Sequence, residues 1–135
     1  MESITWNDRF SVNVSVIDNQ HKKLIALMNE LFHAMRLGKG SDAIGSVVDG
    51  LLDYATEHFE FEEKYFKEFS FPEAAEHIAQ HQSFIKRSAT FCRKLRSGDA
   101  RLSIEVMNFM TNWLIEHIMK CDKKYSYFFN EHGLK

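Results

Sequence analysis

Seven histidines occur in a chain of 135 residues, and several sit at spacings that would let them act together. His77 and His81 are four positions apart, which on a helix places two imidazoles one turn apart on one face. His58 has Glu62 at the same spacing, His117 has Cys121 four residues on and Asp122 five residues on, and His21 precedes them all. Neutral imidazole is the commonest protein ligand for metals, and carboxylates or thiolates complete such sites. Taken singly, each signal is weak. A lone histidine on an apolar face is ordinarily a hydrogen-bonded core residue, and an HxxxH pair is common by chance. The pair also fails as a zinc-protease HExxH, because Ile78 stands where the glutamate base is needed.

The elements that must carry these residues change the weighing. One proline and six glycines leave room for long helices, with breakers at Gly38 and Gly40, at Pro72 and at Gly98-Asp99. They divide the chain into an N-terminal arm to about Ile17 and four segments of 3.6-residue apolar periodicity. The first stripe runs from His21 through Leu24, Met28 and Leu31 to Met35, and the second from Ile44 through Leu51, Tyr54 and His58 to Glu62 and Phe66. The third runs from His77 through His81, Phe84 and Phe91 to Leu95, and the fourth from Val106 through Met110, Trp113, Leu114, His117, Cys121 and Tyr125 to Phe128. Only Val12, Val14 and Val16 alternate with period two. Short connections make consecutive helices antiparallel neighbours. The expected fold is all-α, an up-down-up-down antiparallel four-helix bundle with a short N-terminal arm, in one domain covering residues 1–135.

All four apolar faces therefore contain a histidine. Buried polar groups cost about 1–3 kcal/mol each when unsatisfied, so five imidazoles near mid-core call for one common partner, and a metal is the simplest. Glu62 belongs with them. Glu60 and Glu63 each have a lysine four residues on, Lys64 and Lys67, which marks the solvent side, whereas Glu62 has His58, Phe59, Tyr65 and Phe66 at helical contact distance. On the fourth segment the choice stays open. Strict helical spacing from His117 lands on Cys121, while Asp122 lies about 140° round an ideal helix and would need a tilted helix or a π-type widening.

The ordered set His21, His58-x3-Glu62, His77-x3-His81, His117-x4-Asp122 resembles the full ligand signature of the hemerythrin family, most closely its bacterial single-domain members. The strings Asp18-Asn19-Gln20-His21, His58-Phe59-x2-Glu62-Glu63 and Trp113-Leu114-x2-His117 resemble it too, and the likeness runs from Trp6 to about Phe129. It implies two non-haem irons joined by an oxo or hydroxo bridge, with Glu62 and Asp122 bridging them. It further implies that His77, His81 and His117 bind one iron and His21 and His58 the other, which keeps one position open for O2. The family places apolar residues such as Leu24, Phe59, Trp113, Leu114 and Ile118 around the oxygen site, where they would exclude water. The implied function is reversible O2 binding, for carriage, storage or delivery, with no catalytic residues and with an O2-consuming enzyme as a candidate delivery partner. An O2- or redox-sensing module and a di-iron nitric-oxide or peroxide reductase are the alternatives.

Composition agrees with that reading. The 17 basic and 19 acidic residues give a net charge of -2, without the basic excess of a nucleic-acid binder. No apolar run approaches the ~18 residues of a membrane span, and no charged-then-apolar leader opens the chain. Cys92 and Cys121 do not make a disulfide framework. A cytoplasmic monomer without membrane insertion is expected, with the methionines and both cysteines as core filler.

Overall fold

The computed structural model describes residues 3–98 and 101–135. Asp99, read from the sequence as part of the turn into the fourth helix, lies outside the described residues. Four long helical rods account for the fold. Helix α1 (Ser15–Arg36) begins where the Asp18 carboxylate accepts from Ser11 Oγ (2.6 Å) and from the Val12 amide (2.8 Å), a negative charge in the first turn where the helix dipole favours it. It ends at Leu37, ahead of Gly38 at φ 70°. Helix α2 (Gly40–Phe69) stops at Ser70, which takes the left-handed conformation, and Pro72 lies in the turn before α3 (Ala74–Ser97). Gly98, at φ 72°, terminates α3 in the left-handed cap that glycine adopts without steric cost.

The fourth rod differs from its sequence pattern. Helix α4 (Leu102–Asn112) runs into a π-helical stretch, Trp113–Asp122, and then into α5 (Lys123–Glu131). Backbone angles stay right-handed helical through both junctions, so this is one rod with a widened middle. Around the bundle, α1 packs on α2, α2 on α3, and α4 closes against both α3 and α1, giving the up-down-up-down arrangement.

Two apolar clusters fill the interior. The larger includes Leu24, Met28, Leu51, Phe59, Phe84, Met110, Leu114 and Ile118, and the smaller includes Val12, Val14, Ile17, Phe66, Phe71, Tyr125 and Phe129. Each rod passes from one cluster to the other, and buried between them are His21 on α1, His58 and Glu62 on α2, His77 and His81 on α3, and His117 and Asp122 on the fourth rod. The arm seals the smaller cluster with Val12 and Val14, fully buried on either side of Asn13 at φ 59°. The alternation ends at Val16, half-exposed, because α1 has already begun at Ser15. Asn29 pins the arm's start by accepting from the Ile4 amide and donating to the Ile4 carbonyl, both at 2.8 Å. Asn130 Nδ2 donates to the Asn13 carbonyl at 2.9 Å, tying the arm to α5. Among the described residues no helix is long and apolar enough to cross a membrane.

Candidate metal centre

The structure brings all seven sequence-derived ligand candidates into one buried cluster: His21 on α1, His58 and Glu62 on α2, His77 and His81 on α3, and His117 and Asp122 on the π-helical stretch. Their donor atoms form two groups, Glu62 with His77, His81 and His117, and His21 with His58 and Asp122. The carboxylates join the groups. Asp122 Oδ1 lies 2.8 Å from His77 Nε2 and 2.9 Å from His117 Nε2, while its Oδ2 lies 3.1 Å from His21 Nε2. Glu62 Oε1 lies 3.0 Å from His58 Nε2 and 3.1 Å from His81 Nε2.

The fourth rod's ambiguity disappears with its π geometry. Hydrogen bonding from residue i to i+5 brings residues five apart to the same side, so Asp122 faces the centre together with His117. Cys121 is left half-buried beside it, its thiol donating to the Glu116 carbonyl at 3.4 Å. Ideal 3.6-residue spacing favoured the cysteine; the local widening reverses that choice.

Electrostatics within the cluster are severe. Burial and the neighbouring Asp122 charge push the Glu62 carboxyl up, but contacts with His58 and His81 outweigh both and hold it below the usual carboxylate range. Burial likewise opposes ionisation of Asp122, and His117, His21 and His77 overcome it. His58 is lowered, chiefly by burial, and so favours the neutral form. His81 is raised, because its contacts with Glu62 and Glu63 outweigh its burial.

The imidazoles are held from behind as well. His58 Nδ1 donates to Gln20 Oε1 (2.6 Å), His117 Nδ1 to Gln80 Oε1 (2.6 Å) and His81 Nδ1 to Glu63 Oε2 (2.9 Å). The sequence had placed Glu63 on the solvent side with Lys67. Instead its half-buried carboxylate turns back onto His81, which a neighbouring helix brings within reach. With a proton fixed on Nδ1, a neutral imidazole directs its Nε2 lone pair into the centre. In that form lone pairs face carboxylate oxygens, and only a proton or a metal cation between them makes the contact favourable. Glu62 Oε1 and Oε2, Asp122 Oδ1 and Oδ2, and Nε2 of His77, His81 and His117 are buried without an aligned hydrogen bond. Close distances with poor alignment describe atoms converging on a shared point, and five imidazole nitrogens with two carboxylates suit divalent iron. The residues present fit a two-metal group.

Aromatic rings enclose the cluster. Phe59 stacks on His81 (3.9 Å between centroids, 6° between planes) and Trp113 on His117 (3.8 Å, 12°), so both rings cover the three-histidine side. Tyr54, read from the sequence only as part of an apolar stripe, stacks on His58 at 5.2 Å. Leu24, Leu114 and Ile118 are buried in the larger cluster with Phe59. Leu114 also lines a surface groove between the arm and the π-helical stretch, with Ile4, Phe10 and Met119. His33 and His132 are exposed and remain outside the cluster.

Residues 12–127 match the family model described as the hemerythrin HHE cation binding domain. The chain belongs to the hemerythrin family. It is 33% identical over 126 residues to a bacteriohemerythrin of Stenotrophomonas maltophilia (strain R551-3), spanning 93% of this chain and 81% of that protein. A bacteriohemerythrin of Methylococcus capsulatus is 32% identical over 126 residues, covering 93% of this chain and 95% of its own length. The crystal structure of a wild-type hemerythrin superposes with a TM-score of 0.81 at 31% identity, over 93% of this chain and 97% of that one. The hemerythrin four-helix bundle is thus shared along nearly the whole chain, and the histidine–carboxylate cluster lies inside the matched region.

Proposed function

We propose that this hemerythrin-family chain binds dioxygen reversibly, as a carrier, store or delivery protein, at two non-haem irons held by His21, His58, Glu62, His77, His81, His117 and Asp122. The observation that carries the proposal is the convergence of those seven side chains, all buried, with the metal-facing atoms of Glu62, Asp122, His77, His81 and His117 lacking aligned hydrogen bonds. Two irons bound there would supply a one-electron change at each metal and a position for dioxygen.

The chain's own residues account for the selectivity of that chemistry. Three imidazoles face one side and two the other, so the ligand deficit lies beside His21 and His58. Five neutral imidazoles and two carboxylates donate less negative charge than the four glutamates and two histidines of oxidising di-iron bundles, which favours carrying over substrate oxidation. Stacked Phe59, Trp113 and Tyr54 fix the rings and keep water away, and buried Leu24, Leu114 and Ile118 extend the dry shell. The test is to cycle the reduced, iron-loaded protein between air and argon while recording its optical spectrum. A band that appears in air and vanishes in argon over repeated cycles supports reversible binding. Turnover of added nitric oxide or peroxide without such reversibility would make the protein a reductase instead.

A further inference from the structure

We infer that the two halves of this centre fill in order, the half facing His77, His81 and His117 first and tightly, the half facing His21 and His58 second and more weakly, with Gln20 as the positioning residue that sets the affinity of the weaker half. The inference rests on the two-iron reading above.

The outer hydrogen bonds carry it. Gln20 to His58 ties α1 to α2, Glu63 to His81 ties α2 to α3, and Gln80 to His117 ties α3 to the π-helical stretch. Each bracing residue adjoins a metal-facing one in sequence: Gln20 precedes His21, Glu63 follows Glu62, and Gln80 precedes His81. A side chain beside one donor therefore reaches across and aims a donor on the next helix. Three of the four helix interfaces are braced in this way. At the fourth, between α1 and the π-helical stretch, His21 Nδ1 is buried and has no hydrogen-bond partner among the described residues. Nothing there selects the His21 tautomer that offers a lone pair from Nε2.

The halves are consequently unequal. One has three imidazoles, of which His81 and His117 are both braced from behind and clamped by aromatic stacking. The other has two, of which His58 alone is braced, through a neutral amide that is itself nearly buried. An outer partner typically changes metal affinity by about 10–100-fold, so one missing imidazole and one missing brace separate the two halves by at least about tenfold.

The experiment titrates metal-free protein with cobalt(II), a visible-absorbing stand-in for ferrous iron, against a competing chelator. Helical circular dichroism checks that each metal-free variant is folded. Wild type should take up two equivalents in two resolved steps. Gln20→Leu should weaken the second step by about 10–100-fold and leave the first within about threefold, and Gln80→Leu should weaken the first. Gln20→Glu, which restores an acceptor for His58 Nδ1, should bring the second step back; it is also the readout if the leucine variant does not fold. Uptake of two equivalents in a single step, or a Gln20→Leu effect confined to the first, would overturn the filling order while sparing the two-metal site. Saturation below two equivalents would remove the two-iron reading and this inference with it.

Discussion

Stripping the metal should remove much of the bundle's stability. Seven metal-facing atoms on Glu62, Asp122, His77, His81 and His117 are buried without an aligned hydrogen bond. Each such atom costs about 1–3 kcal/mol when nothing replaces its water, and the lower figure applies because histidine–carboxylate contacts near 3 Å recover part of the loss. The metal-free chain is thus destabilised by about 7 kcal/mol, comparable with the whole stability of an ordinary domain at about 5–15 kcal/mol. For a chain this long, 1 kcal/mol moves Tm by roughly 3–5 °C, so Tm should fall by about 20–35 °C. Thermal unfolding followed by circular dichroism, on loaded protein and on protein reduced and chelated to below a tenth of an equivalent (about 0.1), measures the difference directly. A metal-free protein that melts within about 3 °C of the loaded one would refute the reasoning, because the cluster would then be satisfied by its own side chains.

Further outcomes follow from the same geometry. Glu62→Ala should abolish iron binding, whereas Glu63→Ala should retain iron at saturation but release it to a chelator about 10–100-fold more readily through the loss of the His81 brace; equal iron loss in both would defeat the distinction. Cys121→Ser should keep two irons and reversible oxygenation while Asp122→Ala loses both properties, and a thiolate-to-iron absorption that disappears in Cys121→Ser would reverse the assignment. Leu114→Ala, at a side chain only 3% exposed, should cost about 2–5 kcal/mol and speed decay of the oxygenated form at unchanged iron content; an unchanged decay rate would confine Leu114 to packing. In the metal-free protein Glu62 and Asp122 titrate below their ordinary values of 4.5 and 3.8, so their stabilisation is complete above those values and is lost as pH falls through the depressed ones. His58, lowered from 6.5, destabilises in the same direction below that value, while His81, raised, does the opposite. Unfolding midpoints measured from pH 7 down to pH 3 should fall most steeply in the carboxylate range, and a rise there would contradict the signs.

Helical periodicity made the histidine on each face legible, because ligands four residues apart obey the same 3.6-residue rule as the apolar residues around them. The same rule misled at Cys121 and Asp122. It assumes α geometry, and no single residue in Trp113–Asp122 announces a π-helix. Only the family's ligand pattern pointed to Asp122 in advance. Glu63 was misplaced for a related reason, since an i,i+4 lysine describes one helix and says nothing of the imidazole delivered by the next. The bracing roles of Gln20 and Gln80 were not legible, because an amide beside a ligand has no distinctive spacing and its partner depends on how two helices register. Tyr54, Phe59 and Trp113 were visible as core aromatics, but which histidine each ring covers is a property of packing. The arm's valine alternation was legible as burial for Val12 and Val14, and it ended where α1 began.

The central claim is that these seven side chains hold two irons, and anomalous diffraction at the iron edge from crystals of the loaded protein tests it most directly. Two iron peaks are expected between Glu62 and Asp122, one beside Nε2 of His77, His81 and His117 and the other beside Nε2 of His21 and His58. A single peak, or a peak within bonding distance of Cys121 Sγ, would contradict it.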